Sequence, residues 1–214
     1  MAPIFVETSG QNRIWVVKGA NDKLAPADID AAKDTLLKAD FIVLQLEIPV
    51  ETVYYTLRFA REHGISSILN PAPGQRLDLR QMANADYVIP NETEAEALSG
   101  SPVTNVDEAR RCAQGLLGSG VRRMIVTLGA NGALLAGADG DRHVAPFKVA
   151  TVDTTGAGDA FIGSLACFLA SGMDEIEAIS RANLYAALST TGPGTQKSFV
   201  KRDRFDAEWS ARLV

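Results

Sequence analysis

The chain has 214 residues, enough for one domain with a substantial hydrophobic core. Hydrophobic residues make up 46% of the sequence and charged residues 22%, which is ordinary for a soluble globular protein. The formal net charge of -5 argues against nucleic acid or an anionic membrane as a general partner, although it leaves room for nucleotides.

The chain opens with two β-rich runs, at 3–7 and 13–18, on either side of the turn-forming stretch Ser9-Gly10-Gln11-Asn12. This pattern predicts a β-hairpin. No basic region followed by an apolar stretch is present there, and no apolar run approaches the roughly 18 residues that a membrane span needs. We therefore expect neither a signal peptide nor a membrane span. Cys112 and Cys167 fall in helical patterns typical of small core residues, so we expect a reducing cytoplasm.

Helices and strands alternate along the rest of the chain. Amphipathic spacing, acidic first turns and closing glycines predict helices at 26–38, 50–63, 91–99, 105 or 107 to 117, 157–170, 174–190 and 203–213. Apolar or β-branched runs predict strands at 41–46, 65–69, 87–89, 123–128, 133–135, 143–144 and 149–152. The run at 41–46 is continuously apolar, as in strands buried on both faces.

This alternation predicts an α/β fold in three layers, with a mostly parallel sheet and helices on both faces. No internal repeat, low-complexity tract or linker divides the chain, so we expect a single domain over 1–214. Ligands of such sheets bind outside the carboxyl ends of the strands. Six polar or glycine positions fall at or just beyond such ends: Glu47, Asn70, Asn91, Thr127, Gly129 and Asp153.

One stretch, residues 149–161, combines a β-branched run, a glycine turn, an acid and an apolar helix start. Gly156 and Gly158 allow a tight turn whose N–H groups point outward at the helix N-terminus, where the dipole favours an anion. Asp159 stands among these donors. Phosphoryl transfer needs both features, because the N–H groups stabilise charge on the phosphoryl oxygens while the carboxylate takes a proton from the attacking hydroxyl. Alternatively, Asp159 is an ordinary first-turn acid.

The motif Asp-Thr-Thr-Gly-Ala-Gly-Asp-Ala-Phe at 153–161 resembles the signature of the ribokinase-like sugar kinases, the phosphofructokinase-B type family. Stretches at 46–49, 70–73 with 90–94, and 127–132 resemble further family motifs in the family's order. The resemblance covers essentially the whole chain and is strongest to the ribokinases. Complete members begin with a long segment that carries a Gly-Gly-Lys-Gly-Ala-Asn-type sugar loop and part of a lid. Nothing here matches that segment, so we expect an N-terminally shorter chain in which residues 1–18 are part of the lid.

The resemblance implies ATP-dependent phosphorylation of a primary hydroxyl of a sugar, with D-ribose converted to ribose 5-phosphate as the first expectation. It implies that Asp159 is the general base and contacts the sugar, and that Gly156, Ala157 and Gly158 form the anion hole. Glu47 would hydrogen-bond a sugar hydroxyl; a strand-end acid is otherwise often just solvated.

The resemblance also implies a nucleotide site. The loop of Thr127, Leu128, Gly129, Ala130, Asn131 and Gly132 would wrap the nucleotide, although turn chemistry alone also explains its glycines. Asn91 would contact the triphosphate together with Gly158, and Asn183 would line the adenine pocket. Asn91 and Glu94 also match a helix-capping pattern, and solvent exposure is the alternative explanation for Asn183 within a helix.

Two cations follow from the same resemblance. Glu94 would hold a magnesium-bound water, which suits an ion that keeps several waters and takes few protein ligands. A monovalent cation, potassium, would bind an acid and backbone carbonyls in a set consisting of Asp153, Thr155, Ser189, Gly192, Gly194 and Ser198.

Other interpretations stay open. A chain without the sugar loop would be a nucleotide-binding remnant or a fragment, or the acceptor would be another sugar or a nucleoside. The resemblance implies a homodimer through the lid hairpin, whereas the net charge predicts no nucleic acid or membrane partner. The sequence has no Gly-x-x-x-x-Gly-Lys-Ser/Thr loop, and Phe161 stands where a dinucleotide fingerprint needs its third glycine, so P-loop and Rossmann enzymes are disfavoured.

Overall fold

The structure is a computed structural model and describes residues 4–6, 12–14 and 18–212. At its N-terminal end, β1 (Ile4–Val6) and β2 (Asn12–Ile14) pair antiparallel, with Ile4 opposite Ile14. The turn predicted between them lies outside the described residues. The complete hairpin and its role as part of a lid therefore stay predictions.

A sheet of six strands forms the centre of the described chain. Its strands, in spatial as well as chain order, are β3 (Phe41–Leu44), β4 (Ser66–Leu69), β5 (Tyr87–Val88), β6 (Arg123–Thr127), β7 (Ala133–Gly137) and β8 (Gly140–Val144). Neighbours from β3 to β6 are parallel, and β7 and β8 add two antiparallel strands. The predicted mostly parallel sheet is confirmed.

Helices cover both faces of this sheet. Their bounds are α1 (Pro26–Ala31), α2 (Lys33–Leu36), α3 (Val50–Glu62), α4 (Leu79–Met82), α5 (Glu92–Ser99), α6 (Val106–Leu117), α7 (Ala157–Ala170), α8 (Glu175–Ser189) and α9 (Arg202–Ser210). Side chains alternate along β6: Met124 and Val126 join the core under α3, α5 and α6, whereas Ile125 joins the core under α7 and α8. The three-layer prediction is therefore confirmed.

The first predicted helix and the first predicted strand of the large sheet differ from expectation. The helix predicted at 26–38 divides at Ala32, where ψ is 3°, into α1 and α2. Only Ile29 is buried in these two helices, so tertiary packing provides little to hold one continuous helix. The strand predicted at 41–46 ends at Leu44 and is not buried on both faces. It forms an edge of the six-stranded sheet, and Val43 is 38% exposed.

The strand predicted at 149–152 is absent, and residues 145–156 form no helix or strand. Val152 and Asp153 instead donate their N–H groups to the carbonyl oxygen of Thr190, just beyond α8. Asp153 therefore does not follow a strand end. Conversely, α4 was not predicted; Asp78 caps it by accepting a hydrogen bond from the Arg80 N–H. No described helix is both long and apolar enough to cross a membrane.

Candidate active site

A cleft of about 570 Å³ lies at the carboxyl edge of the parallel strands. It is bounded by the loops after β5 and β6, the start of α7 and one face of α8. Eight residues predicted for the nucleotide or the anion hole meet in its lining: Asn91, Thr127, Gly129, Ala130, Gly132, Ala157, Gly158 and Asn183. The structure thus brings together motifs that are more than 90 residues apart in the chain.

The loop after β6 closes on itself through its backbone. The Leu128 N–H donates to the Gly132 carbonyl at 2.8 Å, and a β-carbon on Gly132 would stand 2.2 Å from the carbonyl oxygen of Val144. Only glycine fits there. Leu128 is 2% exposed and belongs to the core, and Asn131 lies outside the cleft, where its carbonyl accepts a hydrogen bond from His143 Nε2. These two residues shape the loop but do not line the cleft.

The glycine turn presents unpaired donors. Gly156 caps α7 at φ 80°, a conformation that favours glycine. Among the described residues, the N–H groups of Gly156, Gly158 and Asp159 have no hydrogen-bond acceptor, whereas the Ala157 N–H donates to the Thr154 carbonyl at 3.2 Å. The candidate anion hole therefore consists of the N–H groups at 156, 158 and 159, and Ala157 shapes the turn.

Asp159 is exposed in the first turn of α7, directly after Gly158, which lines the cleft. Its carboxylate makes no hydrogen bond with the described part of the chain. An acid in this position is accessible to a hydroxyl group that approaches from solvent.

The residues Asn70, Asn91 and Glu94 form a closed hydrogen-bonded cluster, the amide–carboxylate cluster. Glu94 Oε2 accepts from Asn91 N at 2.9 Å and from Asn70 Nδ2 at 3.0 Å, while Oε1 accepts from Asn91 Nδ2 at 2.9 Å. Asn91 Oδ1 in turn accepts from the Glu94 N–H, which completes a capping box for α5. Glu94 is 7% exposed, and burial raises the pKa of its carboxyl although Asn91 and Asn70 act to lower it.

The capping explanation for Glu94 is thus present in the structure, and the magnesium role has to fit beside it. A carboxylate has about four acceptor sites, and three are used here, so Oε1 has a site left for one water. Indirect binding of a magnesium ion through that water fits this geometry. Within residues 18–212 and the two short N-terminal strands, no group of three or more His, Cys, Asp or Glu side chains converges on a metal position.

Most of the predicted potassium set surrounds the loop after α8. Asp153 Oδ1 accepts from Thr155 N at 2.9 Å and Oγ1 at 2.7 Å, and Oδ2 accepts from Gly194 N at 2.9 Å. These hydrogen bonds, first of all those from Thr155, hold the pKa of Asp153 below its usual value. The carbonyl oxygens of Ser189 and Gly192 accept no hydrogen bond from described residues, which fits ligands of a monovalent cation. Ser198 donates to the Gly194 carbonyl at 2.7 Å.

Asn183 is 8% exposed, so solvent exposure is the wrong explanation for it. Its Nδ2 donates to the carbonyl oxygens of Val144 and Ala145 at 3.3 and 3.2 Å, and the residue lines the cleft. Glu47 differs: it is exposed, lies outside the cleft, and makes no hydrogen bond with the described residues.

One wall of the cleft was not predicted from the sequence. Residues of the irregular segment after β8 line it, among them Phe147, Lys148, Thr151 and Thr154. Lys148 brings an exposed cation to a cleft that would hold a polyanion. The β-branched run at 149–152 predicts a strand, and for that reason this wall was not predicted. The one sequence feature that could have indicated it is Lys148, five residues before Asp153.

A second cleft, of about 610 Å³, lies at the opposite edge of the sheet. Its charged groups pair with one another: Arg122 with Asp86, and Arg123 with Glu175, which also accepts from the Tyr87 hydroxyl. Since these groups already satisfy one another, the first cleft is the better candidate for an active site.

Comparisons with known proteins agree with this geometry. Residues 2–202 match the model of the pfkB family of carbohydrate kinases. Deoxyribokinase of Salmonella typhi is 46% identical over 207 residues, which cover 96% of this chain and 68% of that protein. Ribokinase of Staphylococcus aureus is 38% identical over 91% of this chain and 64% of its own length.

Two solved structures share the fold. Ribokinase from Thermotoga maritima superposes with a TM-score of 0.86 at 38% identity, covering 98% of this chain and 69% of that one. The Arabidopsis thaliana ribokinase complexed with ribose and ATP gives a TM-score of 0.87 at 26% identity, covering 96% of this chain and 67% of that one. The chain thus spans about two thirds of the length of these relatives.

Proposed function

Because the chain belongs to the pfkB family of carbohydrate kinases, we propose that it transfers the γ-phosphoryl group of ATP to the primary hydroxyl of a pentose, with D-ribose as the first acceptor. One observation carries this proposal. The unpaired N–H groups of Gly156, Gly158 and Asp159 adjoin an exposed carboxylate, at the wall of a cleft of nucleotide size.

The reaction follows from these groups. The Asp159 carboxylate takes the proton of the sugar hydroxyl as its oxygen forms a bond to the γ-phosphorus. The bond between that phosphorus and the oxygen bridging to the β-phosphate breaks, and ADP leaves. Charge spreads over the phosphoryl oxygens, and the three N–H groups at the start of α7 stabilise it.

The cleft supports the nucleotide half of this proposal. The loop after β6 and the face of α8 around Asn183 would enclose the base and ribose of ATP, with Asn91 and Lys148 towards its phosphates. Two cations would assist: magnesium, through a water on Glu94, supplies charge neutralisation, and potassium, at the Ser189 and Gly192 carbonyls beside Asp153, stabilises the loop near the turn.

A second sugar is a candidate for the phosphoryl acceptor. Identity is 46% to a protein named deoxyribokinase and 38% to a protein named ribokinase, which favours 2-deoxy-D-ribose as an alternative acceptor. Glu47, exposed and unpaired among the described residues, is the side chain that we propose for a sugar hydroxyl. The proposal places the enzyme in the cytoplasm and includes a homodimer through the predicted lid hairpin.

The test is ADP release by the purified chain with ATP, magnesium and potassium, using D-ribose, 2-deoxy-D-ribose, other pentoses and a nucleoside. The proposal expects turnover with one of the first two and a large loss in the D159N variant. Replacing potassium by sodium tests the cation. Binding of ATP in calorimetry without turnover on any acceptor would instead support a chain that only binds the nucleotide.

A further inference from the structure

The wall of the cleft formed by residues 145–152, here called the strap, has little support of its own. It connects β8 to the glycine turn. At one end Asn183 Nδ2 donates to the Ala145 carbonyl, and at the other the Val152 N–H donates to the Thr190 carbonyl at 2.7 Å. Between these ends, residues 146–151 make no backbone–backbone hydrogen bond with the described chain. The conformation of the strap therefore depends on side-chain contacts.

The aromatic contact of the strap is made by Phe147, which lines the cleft and is half-buried. Its ring centroid lies 6.0 Å from that of Trp209 on α9, with the planes tilted by 59°. This is within the range of favourable aromatic pairs. The C-terminal helix thus contacts a wall of the nucleotide cleft from behind, although its sequence carries none of the predicted site residues.

Trp209 is itself held in place by one contact from α8 and one from its own helix. Arg181 of α8 lies over its ring with Cζ 4.6 Å from the centroid, and Glu177 fixes that guanidinium at 2.8 Å. The ring of Phe205 stacks against it at 6.5 Å. Trp209 Nε1 is buried and has no hydrogen-bond partner among the described residues, so the contacts that fix the indole within this part of the chain are those of its ring. A residue held this firmly can transmit its position to the strap.

We propose that Trp209 is a positioning residue for the nucleotide: through Phe147 it holds the strap in the conformation that binds ATP. This inference rests on the proposed function, because it assumes that the cleft takes ATP. The ring contacts of Trp209 within the described chain are with Phe147, Phe205 and Arg181, and none of these belongs to the glycine turn. We therefore expect its loss to affect nucleotide binding and to leave the phosphoryl transfer step intact.

The experiment measures the Kd for ATP by calorimetry and the KM for ATP and kcat by ADP release in the full chain. W209A is expected to raise the Kd and KM for ATP by about 2–10-fold, the effect of losing one aromatic pair, with kcat and the KM for the sugar unchanged. W209F keeps an aromatic ring and is expected to restore most of the affinity.

A double-mutant cycle makes the test specific. In an F147A background W209A should no longer change the Kd for ATP, because the contact through which it acts is already gone. Y185F is the matched control: it removes the hydrogen bond from the Tyr185 hydroxyl to the Val200 carbonyl at 3.1 Å and keeps the ring against Phe205, so it should lower the melting temperature without changing the Kd.

The outcomes distinguish a failure of the positioning role from a failure of the proposed function. An unchanged Kd in W209A, or a change of equal size in the F147A background, would overturn the positioning role alone. If the unaltered chain does not bind ATP at all, the proposed function falls, and this inference falls with it.

Discussion

Two regions at the same edge of the sheet differ in how far their polar groups are already satisfied. In the glycine turn, three N–H groups and the Asp159 carboxylate have no partner among the described residues. In the amide–carboxylate cluster, Glu94 accepts three hydrogen bonds and lies buried. Unpaired groups are available to a ligand, whereas paired buried groups mainly hold the fold. We expect substitutions in the turn to affect catalysis, and those in the cluster to affect stability.

The largest expected effect is a loss of turnover from a substitution in the glycine turn. Replacing Asp159 with Asn should lower kcat by about 10²–10⁴-fold, the usual contribution of a positioned general base. Since Asp159 is exposed and makes no hydrogen bond with described residues, the melting temperature should hardly change. Turnover and thermal unfolding of the same preparation check both halves. Near-normal turnover would show that another group takes the proton.

The next effect belongs to the cluster. E94A leaves the donors of Asn70 and Asn91 without their acceptor in a buried site, so the free energy of unfolding should fall by about 2–4 kcal/mol. E96A is the matched control, because Glu96 is exposed on the same helix and should change stability by no more than about 0.5 kcal/mol. Chemical denaturation measures both. Equal stability of the two variants would contradict the structural role of Glu94.

The two glycines of the turn are expected to differ in how an alanine substitution changes stability. Gly156 has φ 80°, and a β-carbon there would meet Thr195 Cγ2 at 3.2 Å, so G156A should lower the free energy of unfolding by about 1–2 kcal/mol. A β-carbon on Gly158 would meet nothing within 4 Å, and G158A should instead stabilise the helix by about 0.5–1 kcal/mol. Denaturant unfolding of both variants decides the matter. Destabilisation of equal size would contradict the contrast.

The smallest effect is a pair of opposite pH dependences. Burial raises the folded-state pKa of Glu94, so its contribution to stability is present below its unfolded pKa and is lost as the pH rises through the folded pKa. Hydrogen bonds from Thr155 lower the folded-state pKa of Asp153, whose contribution is present above its unfolded pKa and is lost as the pH falls.

Denaturation between pH 3 and pH 7 tests these signs. Relative to the unaltered chain, E94Q should gain stability as the pH rises, and D153N should gain stability as the pH falls. Parallel curves for the two variants would show that neither carboxyl titrates as its surroundings indicate.

Local patterns predicted much of the fold because they report the two faces of each element. The apolar run predicted as a strand at 123–128 forms β6. Because side chains alternate across a sheet, Ile125 packs against one layer of helices and Met124 and Val126 pack against the other. The pattern Asn91-x-x-Glu94 had two open explanations, and the structure contains the capping box that one of them predicts. The magnesium role of Glu94 stays a prediction, as do the sugar role of Glu47 and the potassium set.

Predictions from local sequence patterns were wrong where a contact with a distant segment decides the structure. The β-branched run at 149–152 has strand propensity, but its N–H groups meet the Thr190 carbonyl instead of a neighbouring strand. Phe41–Leu44 is as apolar as a central strand and lies at an edge of the described sheet. Asn183 is polar within a helix and is buried, because the carbonyls of Val144 and Ala145 accept from its amide.

The sequence by itself determined the order of the six sheet strands and of the long helices, the glycine turn and the position of its acid, because these depend on backbone preferences and periodicities within a few residues. Only the tertiary structure decided which N–H groups stay unpaired, which carboxylate is buried, and that Trp209 stands behind a wall of the cleft. Those properties depend on contacts between segments distant in the chain, whose geometry no local pattern contains.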